Sequence, residues 1–394
     1  MPAPVLVALT YLVGLGIVYP FLPFQALALG ASPLTVSLLL VTDTAVVLLL
    51  APLWGRLSDH LGRRRVIFIA LATAPFANLL LAHADGLALL FLARACAGVS
   101  NAVIPVIQAL VADRTCARRR VCGMANVNSA YGLAFIIGPL VGTLLLGDAG
   151  DDYRSAAFGA AGFAVLSFML TLALGREDRG KGAAAAVVPV AVVAAGVALP
   201  PRRIVLAPLC LAPIALMAVL SFVYASMDST LGLWSQRVLA WDARDVSLAF
   251  TLAGAAAVFS LWVLIPRLCS RFGEARVTAG ASAAMGLGFT LFVLWPVDLV
   301  IALALMLLGA GIAMCLSCLQ ALLSKAAPDS VQGSAMGLNH AVLSFARILG
   351  PVWGGFALGS LGVGWPYLTG ALLTFAALGV VIWFYRPEAR VLQS

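Results

Sequence analysis

Polar positions along the chain are confined to short intervals. Between them run apolar stretches of about 20 residues, the length a helix needs to cross the roughly 30 Å hydrocarbon core of a bilayer. Bounded by Gly, Pro or charge, these stretches predict spans near 5–27, 34–56, 66–83, 87–112, 122–147, 154–174, 205–236, 246–266, 277–295, 299–324, 333–360 and 364–385. None shows the dyad alternation of outer-membrane strands, and lipid offers the backbone no external partner. The expected fold is an all-α membrane protein with twelve transmembrane helices.

Composition agrees with the pattern. Of 394 residues, 63% are hydrophobic and 10% charged, and the mean hydropathy is +1.06; a soluble domain carries about 25% charged residues. The net charge of +8 does not point to nucleic acid, because the arginines lie in short loops and not on a basic face. They sort by side instead. Alternating the loops places nineteen Lys and Arg on one side and only Arg154, Arg237 and Arg244 on the other. The rich side is the cytoplasm, so both termini of this plasma-membrane protein are expected there. The stretch 183–200 is apolar and about long enough to cross, but it holds Pro189, and a thirteenth crossing would put Arg267, Arg271 and Arg276 outside. Residues 175–203 are therefore read as a cytoplasmic linker at or near the membrane surface. The first apolar stretch has no basic segment before it and is read as a span, not a cleaved signal.

The second half repeats the first. Gly62 aligns with Gly273 at an offset of 211, while Gln108-Ala-Leu aligns with Gln320-Ala-Leu, and Gly138-Pro139-x-x-Gly142 with Gly350-Pro351-x-x-Gly354, both at 212. The expected organisation is two parallel six-helix repeats, 1–174 and 204–394, an arrangement that places a substrate site near the midplane where the halves meet.

Between the second and third spans lies GRLSDHLGRRRV, Gly55 to Val66. Glycines there allow close backbone approach or positive φ, Asp59 can accept from helix-start N–H groups, and the arginines hold the loop at one membrane face. This stretch resembles the signature loop of the major facilitator superfamily, Gly-x-Leu-Ser/Ala-Asp-Arg-x-Gly-Arg-Arg/Lys, with Gly55, Leu57, Ser58, Asp59, Gly62, Arg63 and Arg64 matching and His60 departing. The resemblance implies that Asp59 and the nearby arginines close the cytoplasmic side by meeting helix ends, or that Arg63 to Arg65 only set orientation. In the second copy Pro266, Ser270 and Glu274 replace the first Gly, the Asp and the first Arg, so only the first copy is expected to latch. Asp113 is a further gating candidate.

Ionisable groups inside spans cost roughly 2.5–3.5 kcal/mol each on insertion scales. Four occur: Asp43, Arg94, Asp228 and Arg347, with His340 seven residues before Arg347 on nearly the same helix face. A carboxylate in a low-dielectric cavity can bind and release a proton as access alternates; alternatively, each acid pairs permanently with an arginine and braces helices. Arg94, in FLARACAG, is similar to the family's fourth-span motif Leu-x-x-Arg-x-x-Gln-Gly at Arg94 and Gly98, with Phe91 and Ala97 departing; the resemblance ties that arginine to proton coupling. Gly138, Pro139 and Gly142 resemble the antiporter motif Gly-Pro-x-x-Gly-Gly, and on packing grounds alone form a tight helix crossing. Tyr19, Gln25, Asn126, Asn128, Tyr224, Trp234 and Gln236 are candidates for lining a cavity.

No Walker loop, dinucleotide fingerprint, His-Glu-x-x-His or nucleophile elbow occurs, so neither an enzyme nor a cofactor is expected. Cys315-x-x-Cys318 lies in an apolar helix without a second pair and is read as packing, not metal binding. The chain resembles the drug and tetracycline proton antiporters, which implies a monomer exporting a small amphipathic or cationic compound against protons. Uptake of a small metabolite, and a transporter-like sensor or lipid-handling protein, remain open alternatives.

Overall fold

The structure, a computed structural model, describes residues 3–113, 117–147, 150–173, 208–327 and 332–385. The segment 175–203 expected to link the halves lies outside the described residues. Within them every regular element is helical: α1 (Ala3–Ala28), α2 (Pro33–Leu61), α3 (Arg63–Leu71), α4 (Thr73–Ala82), α5 (Leu87–Asn101), α6 (Ile104–Asp113), α7 (Ala117–Leu145) and α8 (Tyr153–Leu170), then α9 (Pro208–Val238), α10 (Ala243–Phe259), α11 (Ile265–Phe272), α12 (Glu274–Leu294), α13 (Asp298–Ala326), α14 (Gln332–Ser360) and α15 (Trp365–Phe384). Joined across short breaks, these supply eleven helices long and apolar enough to cross a membrane among the described residues, with Ser129–Leu145 of α7 as a shorter apolar stretch at the place of the fifth span.

The boundaries follow local chemistry. Ser32 caps α2 by accepting from the Thr35 amide at 3.2 Å, with Pro33 opening the helix. Gly62 and Gly273 take φ of 93° and 78°, where a side chain would be strained, and let the chain turn at once into α3 and α12. The α5–α6 break falls just before Pro105, which cannot donate to the preceding turn. A π-helical turn, Ser260–Leu264, joins α10 to α11 and rotates the last two turns of that span relative to its start.

The chain divides into two compact units, Met1–Ala191 with Ala240–Thr251 and Val192–Leu239 with Leu252–Ser394. In the first, α1 packs against α7 and α8, and α4 against α5 and α8. In the second, α9 packs against α14 and α15, and α12 against α13 and α15. These are the same neighbours at the repeat spacing. Glycines set the closest approaches: a Cβ on Gly138 would lie 2.6 Å from the Cα of Gly16, and one on Gly350 would lie 2.5 Å from the Phe222 carbonyl oxygen. The Gly-Pro-x-x-Gly segments are thus helix crossings, α7 on α1 and α14 on α9. Gly98 does the same for α5 on α2, where a Cβ would meet Val46 Cβ at 2.6 Å and the Asp43 carbonyl oxygen at 2.8 Å.

The second signature loop has not simply lost its interaction. At the start of α3, Arg63 reaches Asp113 at the end of α6, Nε to Oδ2 3.3 Å. At the corresponding start of α12, Glu274 pairs with Lys325 at the end of α13. Both positions correspond at the repeat offsets, with acid and base exchanged.

Two outcomes are expected on thermal unfolding in detergent. Gly98→Ala should cost about 1–3 kcal/mol by overpacking, whereas Gly162→Ala, with open space around it, should not lower the midpoint. Glu274→Lys or Lys325→Glu alone should lower the midpoint by setting like charges together, and combining them should restore it; an exposed pair contributes about 0.2–1 kcal/mol. Equal losses in the single and combined variants would remove the ion pair as a brace.

Candidate functional site

Three helices converge on one carboxylate. Asp43 lies about ten residues into α2, roughly 15 Å along its axis, and is fully buried. Arg94 of α5, 2% exposed, places Nη2 2.6 Å from Asp43 Oδ2. That contact is an ion pair by distance, and the Arg94 Nε has no hydrogen-bond partner among the described residues. Tyr19 of α1 donates its hydroxyl to the same oxygen at 3.0 Å, and its ring lies 5.2 Å from the Arg94 guanidinium carbon. The other carboxylate oxygen accepts the Thr44 amide at 2.8 Å. Sequence reasoning had placed Tyr19 among cavity residues and Asp43 and Arg94 among charges; the structure brings them together.

Supporting contacts hold this triad in register. Trp54 Nε1 donates to the Val99 carbonyl at 3.0 Å, fastening α2 to α5 a few turns away, and Tyr11 donates to Ser100 Oγ at 3.1 Å, fastening α1 to α5. Gln25 donates to the Leu81 carbonyl at 3.1 Å and ties α1 to the end of α4. Removing one partner of a buried ion pair leaves an uncompensated charge, at a cost of about 3–5 kcal/mol. As it stands, the triad can brace the first unit, and its carboxylate can take up a proton only by opening the pair.

The second unit presents a different arrangement. Asp228 of α9 is half-buried and, among the described residues, makes no hydrogen bond or ion pair; Arg347 of α14 acts on it and on Tyr224 electrostatically. His340 is exposed, with its carbonyl accepting from Ser344 at 2.9 Å. Asn339, missed in the sequence reading, is 1% exposed and both its side-chain polar atoms lack a partner among the described residues. An amide inside an apolar span was the signal that could have found it. Trp234 packs against both Phe292 and Tyr367 at centroid distances of 4.9 and 5.1 Å, those two rings being stacked on each other at 4.6 Å, and Gln236 is exposed near the end of α9. The side chains of Asn126 and Asn128 lie outside the described residues.

At the signature loop, Asp59 does not cap α3. Gly62 occupies the cap position without a side-chain bond, and Asp59 instead meets Arg63 at 2.7 Å, a residue that also bonds Ser58 and Asp113. Arg64 donates to the Leu172 carbonyl at 3.0 Å. A Cβ on Gly55 would meet nothing within 4 Å, so close packing does not explain that glycine. Among the described residues, no group of three or more metal-ligating side chains occurs.

The chain as a whole is similar to known proteins. The chain is 28% identical over 381 residues to the class G tetracycline resistance protein of Vibrio anguillarum, covering 93% of each. It is 25% identical over 387 residues to multidrug resistance protein 2 of Bacillus subtilis, covering 94% of this chain and 91% of the relative. Its fold matches the crystal structure of the human organic anion transporter MFSD10 with a TM-score of 0.68 at 20% identity, over 96% of this chain and 98% of that one. The family model described as Major Facilitator Superfamily matches residues 5–351 and 239–393. Twelve-span periodicity, repeated helix neighbours and that match together place this multi-pass membrane chain, a transporter and not an enzyme, in the major facilitator superfamily.

Proposed function

We propose that the protein exports small amphipathic or cationic compounds by proton-coupled alternating access, as a monomer in the plasma membrane with both termini in the cytoplasm. The observation that carries this reading is similarity to tetracycline and multidrug resistance proteins across nearly the full length of both chains. A match of that extent includes both halves and not the signature loop alone.

Within this reading Asp228 is the exchanging acid. A carboxylate already held by a guanidinium must break that pair to take up a proton, and Asp43 is so held. Asp228 makes no such pair among the described residues, and it stands on a helix with Tyr224 one turn away. A cation and a proton can then alternate on one carboxylate, each leaving as the other arrives. The Asp43–Arg94–Tyr19 triad is assigned the work of holding α1, α2 and α5 as one body while the site changes access. The signature-loop pairs of Arg63 gate the cytoplasmic end.

Cells producing the protein should accumulate less tetracycline or ethidium than cells without it, by about tenfold or more for a transport advantage worth 1.4 kcal/mol. No reduction for either compound would remove the export reading. In proteoliposomes with a trapped pH dye, adding the exported compound should move protons the opposite way, and Asp228→Asn should abolish that movement while leaving the thermal midpoint unchanged. Co-directional movement would mean uptake. Asp43→Asn should destabilise the protein by about 3–5 kcal/mol through the orphaned Arg94. Asp43→Asn with Arg94→Gln should recover the stability and keep proton movement; recovery of stability with loss of proton movement would transfer the proton to Asp43.

A further inference from the structure

Cys318 has a partner that its Cys-x-x-Cys spacing does not reveal. Its Sγ lies 3.6 Å from the Sγ of Cys269, which comes from α11 and not from the same helix. Cys315, one turn away, faces elsewhere and is fully buried, with Sγ 3.5 Å from Ser282 Oγ and 3.8 Å from the Thr278 carbonyl oxygen. Cys318 is 2% exposed, whereas Cys269 is half-buried in the last helical turn before Gly273. Cys269 is thus the partly exposed residue of the pair and Cys318 the buried one in contact with it. In the first half, Ser58 and Val106 stand at the corresponding repeat positions, so the sulfur pair belongs to the second half alone.

We propose that Cys269 and Cys318 are a modification site: a dithiol that hydrogen peroxide closes to a disulfide, fastening α11 to α13 at the end where Glu274 and Lys325 already fasten α12 to α13. The sulfur of Cys269 attacks one peroxide oxygen, the O–O bond breaks, and Cys269 becomes a sulfenic acid as one water leaves. Cys318 sulfur then attacks the sulfenic sulfur, the S–O bond breaks, and the second water leaves with the remaining thiol proton. Two electrons pass from the sulfurs to the peroxide, and both thiol hydrogens end in water. The sulfurs must approach by about 1.5 Å to reach bonding distance. A dithiol reagent reverses the step.

The test uses the purified full chain in detergent, treated with hydrogen peroxide and read by intact mass and by peptide mapping after blocking free thiols. The expected result is loss of the mass of two hydrogens, with the Cys269 and Cys318 peptides joined and separated again by dithiothreitol. Cys269→Ser and Cys318→Ser should each abolish the cross-link, and Cys315→Ser should keep it. A cross-link that persists in Cys269→Ser, or oxygen addition to the wild-type cysteines without any joined peptide, overturns the proposal, and the wild-type mapping stands even if a variant folds poorly.

Discussion

A carboxylate and a guanidinium inside a lipid-spanning bundle are each expensive alone, and the structure answers that constraint at Asp43 and Arg94. Their 2.6 Å contact at positions fully or almost fully removed from solvent requires α2 and α5 to lie close together, which Gly98 permits by presenting no side chain to the Asp43 backbone. Tyr19 draws α1 into the same contact by donating to the free side of the shared oxygen. Without a hydrocarbon surrounding, each of these polar contacts would compete with water and contribute little. Within it, separating the pair exposes two charges to a medium that cannot solvate them.

The second unit solves its own version of the problem with different residues. The helix neighbours repeat, and so does the position of the ion pair at the loop between its second and third spans, but acid and base have changed places. What the repeat preserves is an attraction between the start of one helix and the end of another; either arrangement of charges supplies it. The intramembrane acid is treated differently. Asp43 is fully paired, while Asp228 is half-buried without an ion pair among the described residues, and Asn339 is buried with its amide unsatisfied. Unsatisfied polar groups in an apolar setting are costly to maintain, and among the described residues both units carry some, Arg94 in the first and Asn339 in the second.

Family membership and structural brace are separable from cargo. The match to the Major Facilitator Superfamily model over residues 5–351 and 239–393 establishes the superfamily, yet specificity rests on a small number of side chains that fold-level likeness does not transfer. The likeness to MFSD10 at 20% identity speaks to the fold alone. The proposed assignment of Asp228 to the proton therefore rests on this chain's own geometry.

Sequence alone determined the spans, because a bilayer admits about twenty-residue apolar helices and little else. It also determined the family, because Gly55 to Arg64 packs a turn, an acid and a basic cluster into one short loop. For the glycines of that loop the residue type left close backbone approach and positive φ both open, and the structure gives Gly62 the positive φ, as it does Gly273. Pairing was not legible. Nothing in the spacing of residues 19, 43 and 94 says that they meet, that Glu274 and Lys325 restore with opposite signs the contact of Arg63 and Asp113, or that Cys318 faces Cys269 in preference to Cys315. Those facts depend on how each helix is rotated about its axis and how deeply it is set against its neighbours. Periodicity reports the face a helix turns inward; only packed glycines, kinks and the π-helical turn decide which residue that face presents to which partner.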